Sequence, residues 1–65
     1  MTYSVLWLKG GEVIGANGLN SLADAVLLAT RHFESEQRQR GVHRFEVRNE
    51  SGALCFQRAA SLLEH

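Results

Sequence analysis

Residues 21–39 are the one stretch of this sequence that is long and periodic enough to predict a helix. Asn20 or Ser21 is placed to cap its first turn, and Ser21 with Asp24 three residues later approximates a capping box. Gly41 is placed to end the helix in the left-handed conformation. At 100° per residue the apolar side chains fall within an arc of roughly 100°, which is typical of a helix with one buried side. These side chains are Leu22, Ala25, Val26, Ala29 and Phe33.

A hairpin is predicted before the helix. Residues 3–9 are rich in β-branched and aromatic residues, Gly10-Gly11 suits a two-residue turn, and residues 12–16 form the returning strand. That turn pairs Leu8 with Val13 and Trp7 with Ile14. Both faces of the hairpin are then apolar, with Leu6, Leu8 and Val13 on one and Tyr3, Val5, Trp7 and Ile14 on the other.

A second hairpin is predicted after the helix, with strands at residues 42–49 and 53–58 around a turn at residues 49–52. Phe45 and Val47 alternate with three charged residues, so the first of these strands has one apolar face. Leu54 and Phe56 are expected to join that face. The element order predicts an α+β fold: a four-stranded, mainly antiparallel sheet with one helix packed on one face, ββαββ. We expect the first and third strands to lie side by side at its centre.

The opening hairpin, the alanine-rich helix and a closing hairpin of the form F-E-V-R-N-E-S-G-A-L resemble small bacterial domains of unknown function that share this element order. In those domains the closing hairpin reads aromatic or aliphatic, Val, polar, Asp or Asn, and then Gly. The resemblance covers nearly the whole chain and implies the ββαββ fold. It implies no catalytic residue, because the family has no established activity.

The length of 65 residues predicts a single small domain, which we assign to residues 1–62. Residues 63–65 look like the remnant of an expression tag. The chain has seven basic and seven acidic residues, and setting Glu64 aside leaves a net charge of +1, so no overall charge points to a partner. No apolar run approaches a membrane span. One cysteine without a partner favours a reducing compartment, and we expect a cytoplasmic, bacterial protein.

Three residues have side chains that could bind a metal ion or take part in nucleophilic catalysis: His32, His43 and Cys55. Their spacing matches no known metal pattern, and Cys55 as a nucleophile would need His43 as its base. The glycines form neither a dinucleotide-binding fingerprint nor a phosphate-binding loop. A domain of this size also has little volume for a substrate pocket. We therefore predict no catalytic residue, no metal, no cofactor and no enzymatic activity.

Two functions from different classes remain. The first is weak nucleic-acid binding through a strip of arginines on and near the second hairpin, with Trp7 or Tyr3 stacking on bases if they share that face. Glu46 and Glu50 reduce the local net charge to +3, and we expect such binding to be weak or absent. The strip contains Arg38, Arg40, Arg44, Arg48 and Arg58.

The second function is a structural or interaction module that forms a homodimer or docks on a protein. One helix can cover only one face of the first hairpin, so the other face would stay exposed and favour self-association. We expect the homodimer to use the uncovered sheet face. The predicted interface residues are Tyr3, Val5, Trp7 and Ile14. The position of the aromatic residues decides between the two functions: an arginine-free patch favours protein association, and an arginine-lined one favours nucleic acid.

Overall fold

Five elements follow one another in residues 1–60, the part of the chain that this computed structural model describes. They are β1 (Tyr3–Lys9), β2 (Glu12–Leu19), α1 (Leu22–Arg40), β3 (Arg44–Asn49) and β4 (Leu54–Ala59). The predicted ββαββ order is therefore confirmed. The predicted tag remnant at residues 63–65 lies outside the described residues. Within residues 1–60, no helix is both long and apolar enough to cross a membrane.

The four strands form one sheet in the order β2-β1-β3-β4, and every neighbouring pair is antiparallel. The expectation that the first and third strands lie side by side at the centre is confirmed. Val5 lies opposite Val47, and Trp7 lies opposite Phe45. Cross-strand partners share a sheet face, so the most apolar residues of β1 and β3 meet on one side of the sheet.

The helix begins and ends where its sequence signals are. The Ser21 hydroxyl accepts a hydrogen bond from the Asp24 backbone N–H at 3.0 Å. Gly41 has a φ of 72°, and its N–H donates to the Gln37 carbonyl at 3.2 Å. Left-handed backbone of this kind is readily adopted by glycine. Of the predicted apolar stripe, Ala25, Ala29 and Phe33 are buried, while Leu22 in the first turn is exposed.

The helix packs on the face that carries Val5 and Trp7, which corrects the predicted dimer interface. Val5 is fully buried, Trp7 is only 3% exposed, and Tyr3 packs against the same core. Phe45 links the sheet to the helix, because its ring lies edge-on to Phe33 at 5.1 Å and to Trp7 at 5.8 Å between centroids. The prediction that the uncovered face presents Tyr3, Val5, Trp7 and Ile14 is wrong. Val5 and Trp7 lie on the same side of the sheet as the apolar side chains of β3, and the helix covers that side.

A bulge in β2 corrects the predicted register of the first hairpin. Leu8 pairs with Val13 as predicted, but Trp7 pairs with Gly15, which leaves Ile14 as the extra residue. The Arg40 guanidinium occupies this position: Nη2 donates to the Ile14 carbonyl at 3.1 Å. A Cβ on Gly15 would lie 2.5 Å from the same nitrogen, so a larger residue there would displace the Arg40 guanidinium from this contact.

A second bulge lies in β4 and separates two residues that were predicted to share a face. Phe56 pairs with Val47 on the helix side, whereas Leu54 pairs with Arg48, so Cys55 is the extra residue. Leu54 therefore lies on the sheet face opposite α1, which we call the open face. The prediction that Leu54 joins the core with Phe45 is wrong for this reason, and the prediction for Phe56 is correct.

Candidate association surface

One strand of the sheet, β4, is exposed along its whole length. All six of its residues are exposed, including Leu54 at 45% and Phe56 at 38%. The helix lies over β1, β2 and β3. A helix with its side chains is about 10–12 Å wide and strands are spaced about 4.8 Å apart, so a single helix covers two or three strands of a four-stranded sheet. The fourth strand is left without a second layer.

The apolar side chains of β4 point to both sides of the sheet. Phe56 lies on the helix side, where its ring stacks on Phe45 at 5.9 Å with an interplanar angle of 29°. Leu54 lies on the open face opposite Arg48. Burial of either residue needs a partner, because large apolar side chains near 40% exposure retain a substantial share of their contact area with water.

Side-chain hydrogen bonds of this hairpin lie at its turn and at the start of β4. Arg48 Nη1 donates to the Gly52 carbonyl at 2.8 Å, Asn49 Oδ1 accepts from the Ala53 N–H at 3.0 Å, and the Cys55 thiol donates to the Ala53 carbonyl at 3.6 Å. Each edge strand presents a row of backbone donors and acceptors that can pair with another strand. At β2, by contrast, Arg40 donates to the Ile14 carbonyl and so occupies part of the edge.

A groove of about 370 Å³ runs between the helix and the end of β4. Phe33 forms part of its apolar lining. The groove holds charges of both signs, since Glu34 comes from the helix and Arg58 from the strand. The remaining lining residues are Thr30, Gln37, Ala59 and Ala60.

The open face carries an ion-paired cluster on β3 in place of a free arginine strip. The Glu46 side chain is buried, and its two carboxylate oxygens are ion-paired with Arg44 Nη2 at 3.1 Å and Arg48 Nη2 at 2.9 Å. Arg48 Nε also donates to Glu46 at 3.0 Å. Two guanidinium groups thus share one carboxylate, and the cluster has a net charge of +1.

The structure does not bring the five predicted arginines together. Arg44 and Arg48 lie together on the open face, where both are ion-paired with Glu46. Arg40 lies on the helix side, where its Nε is 3.1 Å from Glu36, and Arg58 pairs with Phe45 on the same side of the sheet. Arg38 is exposed in the last turn of the helix. A nucleic-acid strand whose phosphates contacted all five arginines would have to reach both sides of the sheet.

The aromatic residues of β1 are not available to stack on bases. Trp7 is buried beneath the helix, and its indole Nε1 donates to Asn17 Oδ1 at 2.9 Å. Tyr3 is half-buried on the same side. The aromatic side chain with the largest exposure is Phe56, which lies on the predicted face with Phe45 but near the edge of the sheet. The exposure of Phe56 could have been inferred from width, because one helix covers only two or three of four strands and leaves an edge strand uncovered.

The three residues considered for site chemistry lie apart from one another. His43 Nε2 accepts a hydrogen bond from the Gly10 N–H at 2.7 Å, so its ring closes the first hairpin turn. His32 lines a cavity of about 230 Å³ beside Trp7, and Cys55 is an exposed free thiol on β4. Residues 1–60 contain no cluster of three histidine, cysteine or acidic side chains that could hold a metal ion.

Comparison with known proteins gives no assignment: no protein-family model, curated protein or solved structure matches this chain. The resemblance to small bacterial domains with the same element order stays a prediction. Any functional conclusion therefore rests on the surface described above.

Proposed function

We propose that this chain is a non-enzymatic interaction module that forms a homodimer through the sheet surface its helix leaves uncovered. The observation that carries the proposal is the exposure of β4 on both faces, with Leu54 on one side and Phe56 on the other. In a small domain with one helix, a second copy can supply the missing layer. The free thiol of Cys55 supports a reducing compartment such as the cytoplasm.

The apolar area of β4 sets the scale of the interaction. Complete burial of a leucine or phenylalanine side chain contributes about 1.5–3 kcal/mol, so the exposed fractions of Leu54 and Phe56 correspond to about 1.2–2.5 kcal/mol per copy. Two copies double this value to about 2.5–5 kcal/mol. Association costs at least about 4 kcal/mol, so side-chain burial alone gives weak binding. A stable dimer therefore needs additional contacts, such as hydrogen bonds between backbones.

Nucleic-acid binding is the other function that the sequence suggests, and no contact among the described residues favours it. Arg44 and Arg48 are both bound to Glu46, and the arginines on the helix side lie away from them. Phosphate binding that depends on counterion release requires cationic groups that are not already neutralised. Binding of a single-stranded oligonucleotide is therefore the alternative outcome of the experiment described next.

Sedimentation equilibrium tests the proposed function. With hydrogen bonds between backbones added to side-chain burial, we expect a dimer with a free energy of association of about −4.5 to −7 kcal/mol, which becomes populated between about 10 and 500 μM. Over that range the apparent mass should rise from the 7.2 kDa of one chain toward twice that value. A single-chain mass across the whole range would contradict the proposal. Micromolar, salt-dependent binding of a single-stranded oligonucleotide that is lost in both Arg44→Ala and Arg48→Ala would favour the nucleic-acid function instead.

A further inference from the structure

We infer that two copies of this chain join edge to edge, with β4 pairing antiparallel to β4 of the second copy about a two-fold axis, so that the two four-stranded sheets form one sheet of eight strands. This inference rests on the proposed homodimer and specifies the surface that forms it. It makes the open backbone edge of β4, together with Leu54 and Phe56, the contact between the two copies.

The two edges of the sheet differ in their capacity to pair. Each edge strand contains one bulge, at Ile14 in β2 and at Cys55 in β4, but on β2 the Arg40 guanidinium also donates to the Ile14 carbonyl. On β4, the pairing with β3 is regular from Phe56, which lies opposite Val47, to Ala59, which lies opposite Arg44. A regular backbone on one side of a strand leaves a regular row of donors and acceptors on the other. The Arg40 contact on β2 is the difference between the two edges, and for this reason we assign the contact between copies to β4.

Two-fold symmetry fits the pairing of a strand with its own copy. Identical strands that meet about a two-fold axis run antiparallel, and each hydrogen bond between them is formed twice. Continuous sheets of eight strands occur in known folds, so the product is not unusual in size.

The side chains beside β4 are arranged for the same contact. A partner strand would lie about 4.8 Å from β4, where it would flank Phe56 on the side away from Phe45. On the open face, Leu54 would gain neighbours from the partner in the same way. The groove between the helix and β4 would lie at this junction, and its Glu34 and Arg58 make it self-complementary in charge under two-fold symmetry.

The charge of the whole chain permits a second copy as the occupant. With seven basic and seven acidic residues, two copies have no net repulsion to overcome. A partner of strong charge would instead require a field of the opposite sign near β4, but there Arg58 shares the groove with Glu34, and Arg44 and Arg48 share Glu46.

Two lysine substitutions in β4 and a matched control on the opposite edge test the inference by sedimentation equilibrium. Leu54→Lys and Phe56→Lys place charges in the proposed contact, and each charge occurs twice, so we expect the dissociation constant to rise by roughly tenfold or more. Val13→Lys is the control, because Val13 is 54% exposed on the open face but lies on β2. We expect its dissociation constant to stay within about twofold of the parent value.

The possible results separate this inference from the proposed function. A monomeric parent protein would contradict both. A dimeric parent in which Val13→Lys disrupts association, or in which neither β4 substitution does, would overturn the edge pairing and leave the homodimer standing on another surface. Phe56 stacks on Phe45, so circular dichroism must confirm that the Phe56→Lys variant is folded. Leu54 lies on the open face, away from the core, so Leu54→Lys tests the contact even if the Phe56→Lys variant does not fold.

Discussion

The substitution Phe33→Ala tests the packing of the helix on the sheet. Phe33 is 7% exposed and lies edge-on to Phe45, with ring planes at 82° and centroids 5.1 Å apart. Truncation of a buried phenylalanine costs about 3–5 kcal/mol, of which an aromatic pair accounts for about 0.5–1.5 kcal/mol. Phe33 also lines the groove beside β4, so water can enter part of the vacated space. We therefore expect a loss near the lower end, about 3 kcal/mol.

Such a loss is large for this domain, because folded proteins gain about 0.05–0.15 kcal/mol per residue, or about 3–10 kcal/mol for this chain. Urea denaturation followed by fluorescence measures it. The chain has one tryptophan, Trp7, which is buried and therefore reports unfolding. Leu27→Ala is the control, since Leu27 is exposed on the helix and should change stability by no more than about 0.5 kcal/mol. Equal effects of the two substitutions would refute the packing described here.

Three further substitutions can be measured by the same denaturation. Gly41→Ala should destabilise the chain by about 1 kcal/mol because an alanine resists a φ of 72°; an unchanged midpoint would argue against the left-handed helix end. Asn17→Ala should cost about 1–2 kcal/mol because the Trp7 indole N–H loses its partner, and no loss would show that the bond is dispensable. Glu46→Gln should cost about 1–2 kcal/mol because two arginines lose their shared charge; a gain in stability would contradict the ion-paired cluster.

The elements of the fold could be predicted from local sequence. The helix was predicted over residues 21–39 and is observed as Leu22–Arg40, because its cap, its periodicity and Gly41 are all local signals. The Gly10-Gly11 turn correctly gave the pairing of Leu8 with Val13. Central placement of the first and third strands was also predicted, and it is confirmed. Signals of this kind act over a few residues and are readable without the rest of the chain.

The direction of the faces could not be predicted in the same way. Both sides of β1 are apolar, so its own pattern does not distinguish the Leu6 side from the Val5 side. Which side of β1 is buried depends on β3, a strand that follows the helix in the chain. There Val47 and Phe45 pair with Val5 and Trp7. Residues distant in sequence therefore determine which side is buried.

The register shifts at both bulges were not predicted, and one of them changed a candidate surface. The extra residue at Cys55 moves Leu54 to the open face while Phe56 stays on the helix side. Alternation read from sequence assumes regular pairing, and a single extra residue reverses it. The exposed character of β4 follows from this reversal and from the width of one helix, neither of which is visible in the strand's own residues.

Backbone amide hydrogen exchange in β4 tests the central claim most directly. We compare exchange rates for Leu54–Ala59 in dilute and concentrated solution, using the amides of β2 as the internal control. If two copies pair through β4, the amides that point away from β3 should exchange more slowly at high concentration, while those on the outer side of β2 should not change. Equal exchange of the β4 amides at both concentrations, or concentration-dependent protection at β2 instead, would contradict the account.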